Sequence, residues 1–72
     1  MEVKLKVKRE SEKAVLVHAY IRVRDDVYDS VEYGEDIWLP KSQIKIDEGV
    51  VIDIPDWLIK KNKISRTNFI NN

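Results

Sequence analysis

Two stretches near the start of the chain alternate apolar and polar residues with period two, a rhythm that commits the first third of the sequence to strands with one buried face. In Val3 to Lys8, Val3, Leu5 and Val7 point one way, and Lys4, Lys6 and Lys8 the other. In Ala14 to Arg24, Val15, Val17, Ala19, Ile21 and Val23 share a face. If the two strands form an antiparallel hairpin, their buried faces must coincide, because a slip of one residue turns every side chain over. Pairing Val7 with Val15, Leu5 with Val17 and Val3 with Ala19 meets that condition, with the loop at Glu10-Ser11-Glu12.

Residues 25–36, DDVYDSVEYGED, carry six carboxylates and no base. They read as an acidic connector or the arms of a hairpin extending beyond the core, with Gly34 at the expected positive-φ position. Ile37-Trp38-Leu39 is a short strand that Pro40 ends, and Lys41-Ser42-Gln43 a turn. Residues 43–47 and 50–54 alternate around Asp47-Glu48-Gly49, a hairpin signal. Pro55 then opens a short helix, with Pro55 at the first helical position, Asp56 at the positive end, lysines at the negative end and Asn62 as C-cap. The expected fold is mostly β. About five strands form a small twisted antiparallel sheet, or an SH3-like half-open barrel, with one short C-terminal helix. Residues 1–63 form one small β domain, and 64–72 a polar, frayed tail. The expected core is Val3, Leu5, Val7, Val15, Val17, Ile21, Trp38, Leu39, Ile44, Ile52, Ile54, Trp57 and Leu58.

Composition narrows the chemistry. With 72 residues and no cysteine, stability has to come from one small apolar core, for which 43% hydrophobic residues suffice. No apolar run is long enough to span a bilayer, and the sequence reads as a soluble, cytoplasmic protein. His18 is the single histidine and the two glycines are Gly34 and Gly49, so neither a nucleophile elbow nor a phosphate-cradling loop can be built. The chain reads as non-enzymatic, with no cofactor and no metal. Asp25, Asp26, Asp29, Glu32, Glu35 and Asp36 are oxygen ligands in type, but their spacing is not that of an EF-hand loop, and a solvated acidic loop is the plainer reading.

Net charge is zero but unevenly distributed: +4 over residues 1–24, −8 over 25–56 and +4 over 57–72. Two surfaces follow. The acidic hairpin, with Asp25, Asp26, Tyr28, Asp29, Glu32, Tyr33, Glu35 and Asp36, can imitate a phosphate backbone and occupy a basic groove on another protein. The alternative is a strand face carrying Lys4, Lys6, Lys8, Tyr20, Arg22 and Arg24, cations interleaved with a ring in the manner of single-stranded DNA- or RNA-binding surfaces. Zero net charge favours the protein partner. Two copies meeting at open sheet edges are the expected route to a homodimer.

Three words of the sequence are Lys13-Ala14-Val15-Leu16-Val17, Ile37-Trp38-Leu39-Pro40-Lys41-Ser42-Gln43-Ile44 and Ile54-Pro55-Asp56-Trp57-Leu58-Ile59-Lys60-Lys61. Together they resemble a group of small uncharacterised bacteriophage and mobile-element proteins sharing a KAxLV…WLPKSQI…IPxWLxxK skeleton. The resemblance covers residues 12–61. The chain departs from it in the longer acidic segment before Trp38 and in its Asn-rich tail. It implies a context rather than an activity: an accessory protein in a bacterial host cytoplasm, acting on nucleic acid or blocking a host defence enzyme.

Overall fold

The computed structural model describes residues 1–70. Its strands are β1 (Glu2–Glu10), β2 (Ala14–Asp25), β3 (Asp29–Pro40), β4 (Lys45–Asp47) and β5 (Val50–Asp53), followed by one α-helix, α1 (Asp56–Asn62). Short 3-10 turns occupy Lys41–Gln43 and Arg66–Asn68. All five strands lie in one open antiparallel sheet, in the order β3-β2-β1-β5-β4. The mostly β fold with one short helix is therefore present, as an open sheet rather than a barrel.

The first hairpin is paired two residues away from the expected register. Val7 faces Val17, and beyond a bulge Arg9 faces Leu16 and Glu10 faces Val15. Because the shift is even, parity survives and the expected side chains stay inside. Ser11 sets the loop, its N–H donating to the Ala14 carbonyl (2.9 Å) and its Oγ accepting from the Ala14 N–H (3.1 Å).

The acidic segment is the far half of a long hairpin. β2 and β3 pair from Ala14–Pro40 out to Asp25–Asp29. Gly34 consequently lies in mid-strand opposite Tyr20, not at a turn. The left-handed position is Asp29 (φ 72°), and aspartate tolerates this conformation better than most residues. Asp25 holds the tip, its Oδ1 accepting from the N–H groups of Val27 (2.7 Å) and Tyr28 (3.1 Å). The second hairpin turns at Glu48 (φ 48°) and Gly49 (φ 76°), the two positive-φ positions of a type I′ turn.

The core fills the face of the sheet covered by α1. Val3, Leu5, Val15, Val17, Ala19, Leu39, Val51, Ile54, Leu58 and Ile64 form one buried cluster. Both tryptophans depart from expectation: Trp38 is 49% exposed and Trp57 51%, whereas Leu39 is fully buried and Leu58 nearly so. Neighbours in a strand point to opposite faces, so burying Leu39 turns Trp38 outward. Leu58 likewise takes the inner side of α1. Ile52 is also outside, because its neighbour Val51 holds the buried position on β5.

Pro55 caps the helix rather than beginning it; its carbonyl accepts from Leu58 and Ile59 (both 3.1 Å). The helix closes at Lys63 (φ 57°), not Asn62, whose amide instead donates to the Leu58 carbonyl. The Ile64 N–H returns to the Ile59 carbonyl (3.0 Å). This six-to-one bond is the closing geometry in which the residue after a left-handed cap packs back on the helix.

Residues 64–70 are not a frayed tail but pack against the sheet through two isolated bridges; residues 71 and 72 lie outside the described residues. β1 and β2 are paired only near their hairpin loop, and the segment after α1 occupies the gap where they diverge. Ile64 pairs with Ile21 and Phe69 with Val3. The Asn68 carboxamide acts as a stand-in peptide group, accepting from the Tyr20 N–H (3.0 Å) and donating to the Tyr20 carbonyl (2.7 Å).

Candidate functional site

The sheet face opposite α1 carries most of the residues with chemistry to offer. Lys4 and Lys6 project from β1, alternating with inward Val3, Leu5 and Val7, and His18, Tyr20, Arg22 and Arg24 project from β2. The register then brings β3 partners alongside: Trp38 beside Leu16, Asp36 beside His18, Gly34 beside Tyr20, Glu32 beside Arg22 and Ser30 beside Arg24. Period two from buried Leu39 turns Trp38 outward, against its expected place in the core.

Two carboxylates of the acidic segment are spent on this face. Both Asp36 carboxylate oxygens accept from Lys8 Nζ (2.9 and 3.0 Å), and Oδ1 also accepts from His18 Nδ1 (2.9 Å). The Lys8 and His18 contacts, in that order, hold its carboxyl below the ordinary aspartate range. The His18 ring lies directly over Gly34, where a Cβ would sit 2.4 Å from Nε2. A side chain at position 34 would displace the His18 ring from this place, and no positive φ calls for glycine there. His18 and Tyr20 meet edge to face at 6.4 Å.

Glu32 is the latch of the C-terminal segment. Its carboxylate accepts from Ser65 Oγ (2.5 Å), Thr67 Oγ1 (2.9 Å) and Arg22 Nη2 (2.7 Å). Ser65 is 4% exposed, so the bond satisfies a hydroxyl that water cannot reach. The Ser65 and Thr67 bonds, reinforced by the Arg22 charge, lower the Glu32 pKa. A carboxyl lowered on folding contributes stability above its unfolded pKa, and that contribution disappears as pH falls through the folded value. Acidification below about pH 5 is therefore expected to loosen residues 64–70. Glu32→Gln should flatten the pH 3–5 part of the melting-temperature profile, with the remaining slope due to Asp36 and Asp53, which are lowered in the same direction.

The hairpin residues do not converge on one surface. Glu32 and Asp36 lie on the outer face, while Tyr33 and Glu35 stand opposite Ile21 and Ala19 on the inner side. Asp25 is occupied by the tip backbone. What the structure does bring together is the tip itself, Asp26, Val27, Tyr28 and Asp29. Val27 is 77% and Tyr28 75% exposed, the highest values among the exposed large hydrophobics.

Beside Arg22, residues of α1 and of the segment after it (Ile59, Lys60, Lys63, Ile64, Ser65 and Arg66) surround a hollow of about 480 Å³. Of these cations only Arg22 has a carboxylate partner among the described residues. No group of three or more His, Asp or Glu side chains among the described residues is placed to hold a metal ion, and no described helix is long and apolar enough to cross a membrane.

The chain matches no protein-family model, no curated protein and no solved structure. Its geometry alone defines the class: a small open-sheet β domain with a protruding hairpin and one uncovered sheet face.

Proposed function

We propose that the protein is a non-enzymatic binding module that inserts the tip of the β2–β3 hairpin into a partner protein and modulates or inhibits it. The observation that carries this reading is the exposure of Val27 and Tyr28 at the end of an extended hairpin. Large apolar groups at a projecting tip gain most by burial in a partner, and tyrosine is among the side chains that dominate interface energies. Asp26 and Asp29 flank the pair with no cation partner among the described residues. The complementary site is an apolar pocket rimmed by lysine or arginine, such as the nucleic-acid groove of an enzyme. In the phage and mobile-element context of the WLPKSQI word, the partner is a host defence or nucleic-acid-processing enzyme in the bacterial cytoplasm.

The test compares wild type with Val27→Ser/Tyr28→Ser in affinity capture from host lysate, followed by calorimetry on the purified partner. Loss of the hot-spot tyrosine should weaken binding by about 2 kcal/mol or more, while melting temperature stays nearly unchanged because neither side chain is buried. Equal affinity of the double variant for the partner would rule out the tip as the contact.

A further inference from the structure

The outer sheet face has a second, independent organisation. Tyr20, His18 and the Leu16–Trp38 pair succeed one another at every second residue of β2, a rise of about 6.5–7 Å per step. The Tyr20 and His18 ring centroids are 6.4 Å apart. Half-exposed aromatic rings thus stand at both ends of a straight row about 13 Å long. That is the arrangement needed to meet unstacked bases of an extended strand, since every base offers a π-face but a duplex keeps its faces stacked.

Charge follows the same line. The carboxylates within the row, Asp36 and Glu32, are each held by a cation, Lys8 and Arg22 respectively. Arg24 on the same strand lacks a carboxylate partner among the described residues, and Arg22, next outward after Tyr20, lines the hollow that Lys60, Lys63 and Arg66 also line. Zero net charge for the whole chain therefore conceals a local surplus of cations where the row of rings terminates.

We infer that this face binds single-stranded nucleic acid, with bases stacked on Trp38 and Tyr20 and phosphates held by Arg24, Lys60, Lys63 and Arg66. The face is distinct from the hairpin tip, and the two readings stand or fall separately. Charge complementarity selects a polyanion, and the exposed ring faces select a single strand over a duplex. The site discriminates little between sequences, because stacking and phosphate contacts carry no base code.

The test uses fluorescently labelled single strands of about ten nucleotides, poly-dT and poly-U, and a duplex of the same length, read by anisotropy at several salt concentrations. The single strands should bind more tightly than the duplex. If four cations each meet a phosphate, log K should fall with log salt at a slope of about −3. In a Trp57→Phe background, where Trp38 is the single tryptophan, single strands should quench its emission. Tyr20→Ala and Trp38→Ala, both at exposed positions, should each weaken binding roughly 5- to 100-fold. Lys60→Gln/Arg66→Gln should lower the slope by about 1.4. Val27→Ser/Tyr28→Ser should leave all of this unchanged. Absence of binding by the folded protein at low salt overturns the inference, as does equal binding of single strand and duplex without Trp38 quenching. An effect of the tip variant as large as that of Tyr20→Ala would move the site to the hairpin and also overturn it.

Discussion

Leu39→Ala should destabilise the domain by about 2–5 kcal/mol, while Trp38→Ala, one residue away, should change stability by less than about 1 kcal/mol. Leu39 is completely buried between β2 and the helix-covered core cluster. Its truncation removes transfer energy and leaves a cavity in a layer that the rest of the sheet cannot readily collapse to fill. A domain of 72 residues has a total stability of about 4–11 kcal/mol, so the leucine variant should lose a large share of its stability. Urea denaturation followed by circular dichroism measures both. The larger side chain having the smaller effect is the diagnostic outcome; a larger loss for Trp38→Ala would mean that β3 presents its other face to the core.

Deleting everything after Lys63 should cost at least about 3 kcal/mol and abolish cooperative melting. The deletion removes Ile64 from the core and strips the covers from Val3 and Ile21. It also leaves the Tyr20 N–H and C=O without the Asn68 carboxamide and Ser65 N–H that now satisfy them. Glu32 loses the two hydroxyls it organises. Asn68→Ala offers a milder version that keeps the chain intact: only the carboxamide mimic is lost, and hydrogen exchange at the Tyr20 amide should accelerate while amides of the β4–β5 hairpin stay protected. A truncated chain that melts like the full one would show that the segment merely rests on the sheet.

The strand pattern was legible because period two survives any even slip. Val3, Leu5, Val15, Val17 and Ile21 are buried whether Val7 meets Val15 or Val17, so the core was readable although the register was not. The turn at Asp47–Gly49 carried its own chemistry. Gly34 was misread because glycine signals both a left-handed turn and a close approach, and here the reason for it is an imidazole sixteen residues earlier in the chain. Trp38 faces outward by the strand parity of buried Leu39, and Trp57 because α1 turns Leu58 inward. The role of residues 64–70 had no local signal at all: Ser65, Thr67 and Asn68 look like loop residues until Glu32 and the Tyr20 backbone are brought to them. Of the candidate surfaces, Lys4, Lys6, Tyr20, Arg22 and Arg24 fall on one sheet face because they share one parity. The acidic hairpin was divided, because its carboxylates alternate between two sides of β3.

The pairing of Val3 with Phe69 has a consequence for how the molecule comes into being. A ribosome delivers β1 first, yet its edge toward β2 at Val3 lacks a partner until Phe69 has been made, after β5 has become available to the other edge. During that interval β1 and β2 share only a short ladder near their loop, and the diverging arms present open edges. Closing contacts between such remote residues is slow and exposes the nascent chain to unwanted strand partners. The domain is thus built to mature late, and a nascent-chain arrest series should show protease resistance arising only after Phe69 has cleared the exit tunnel.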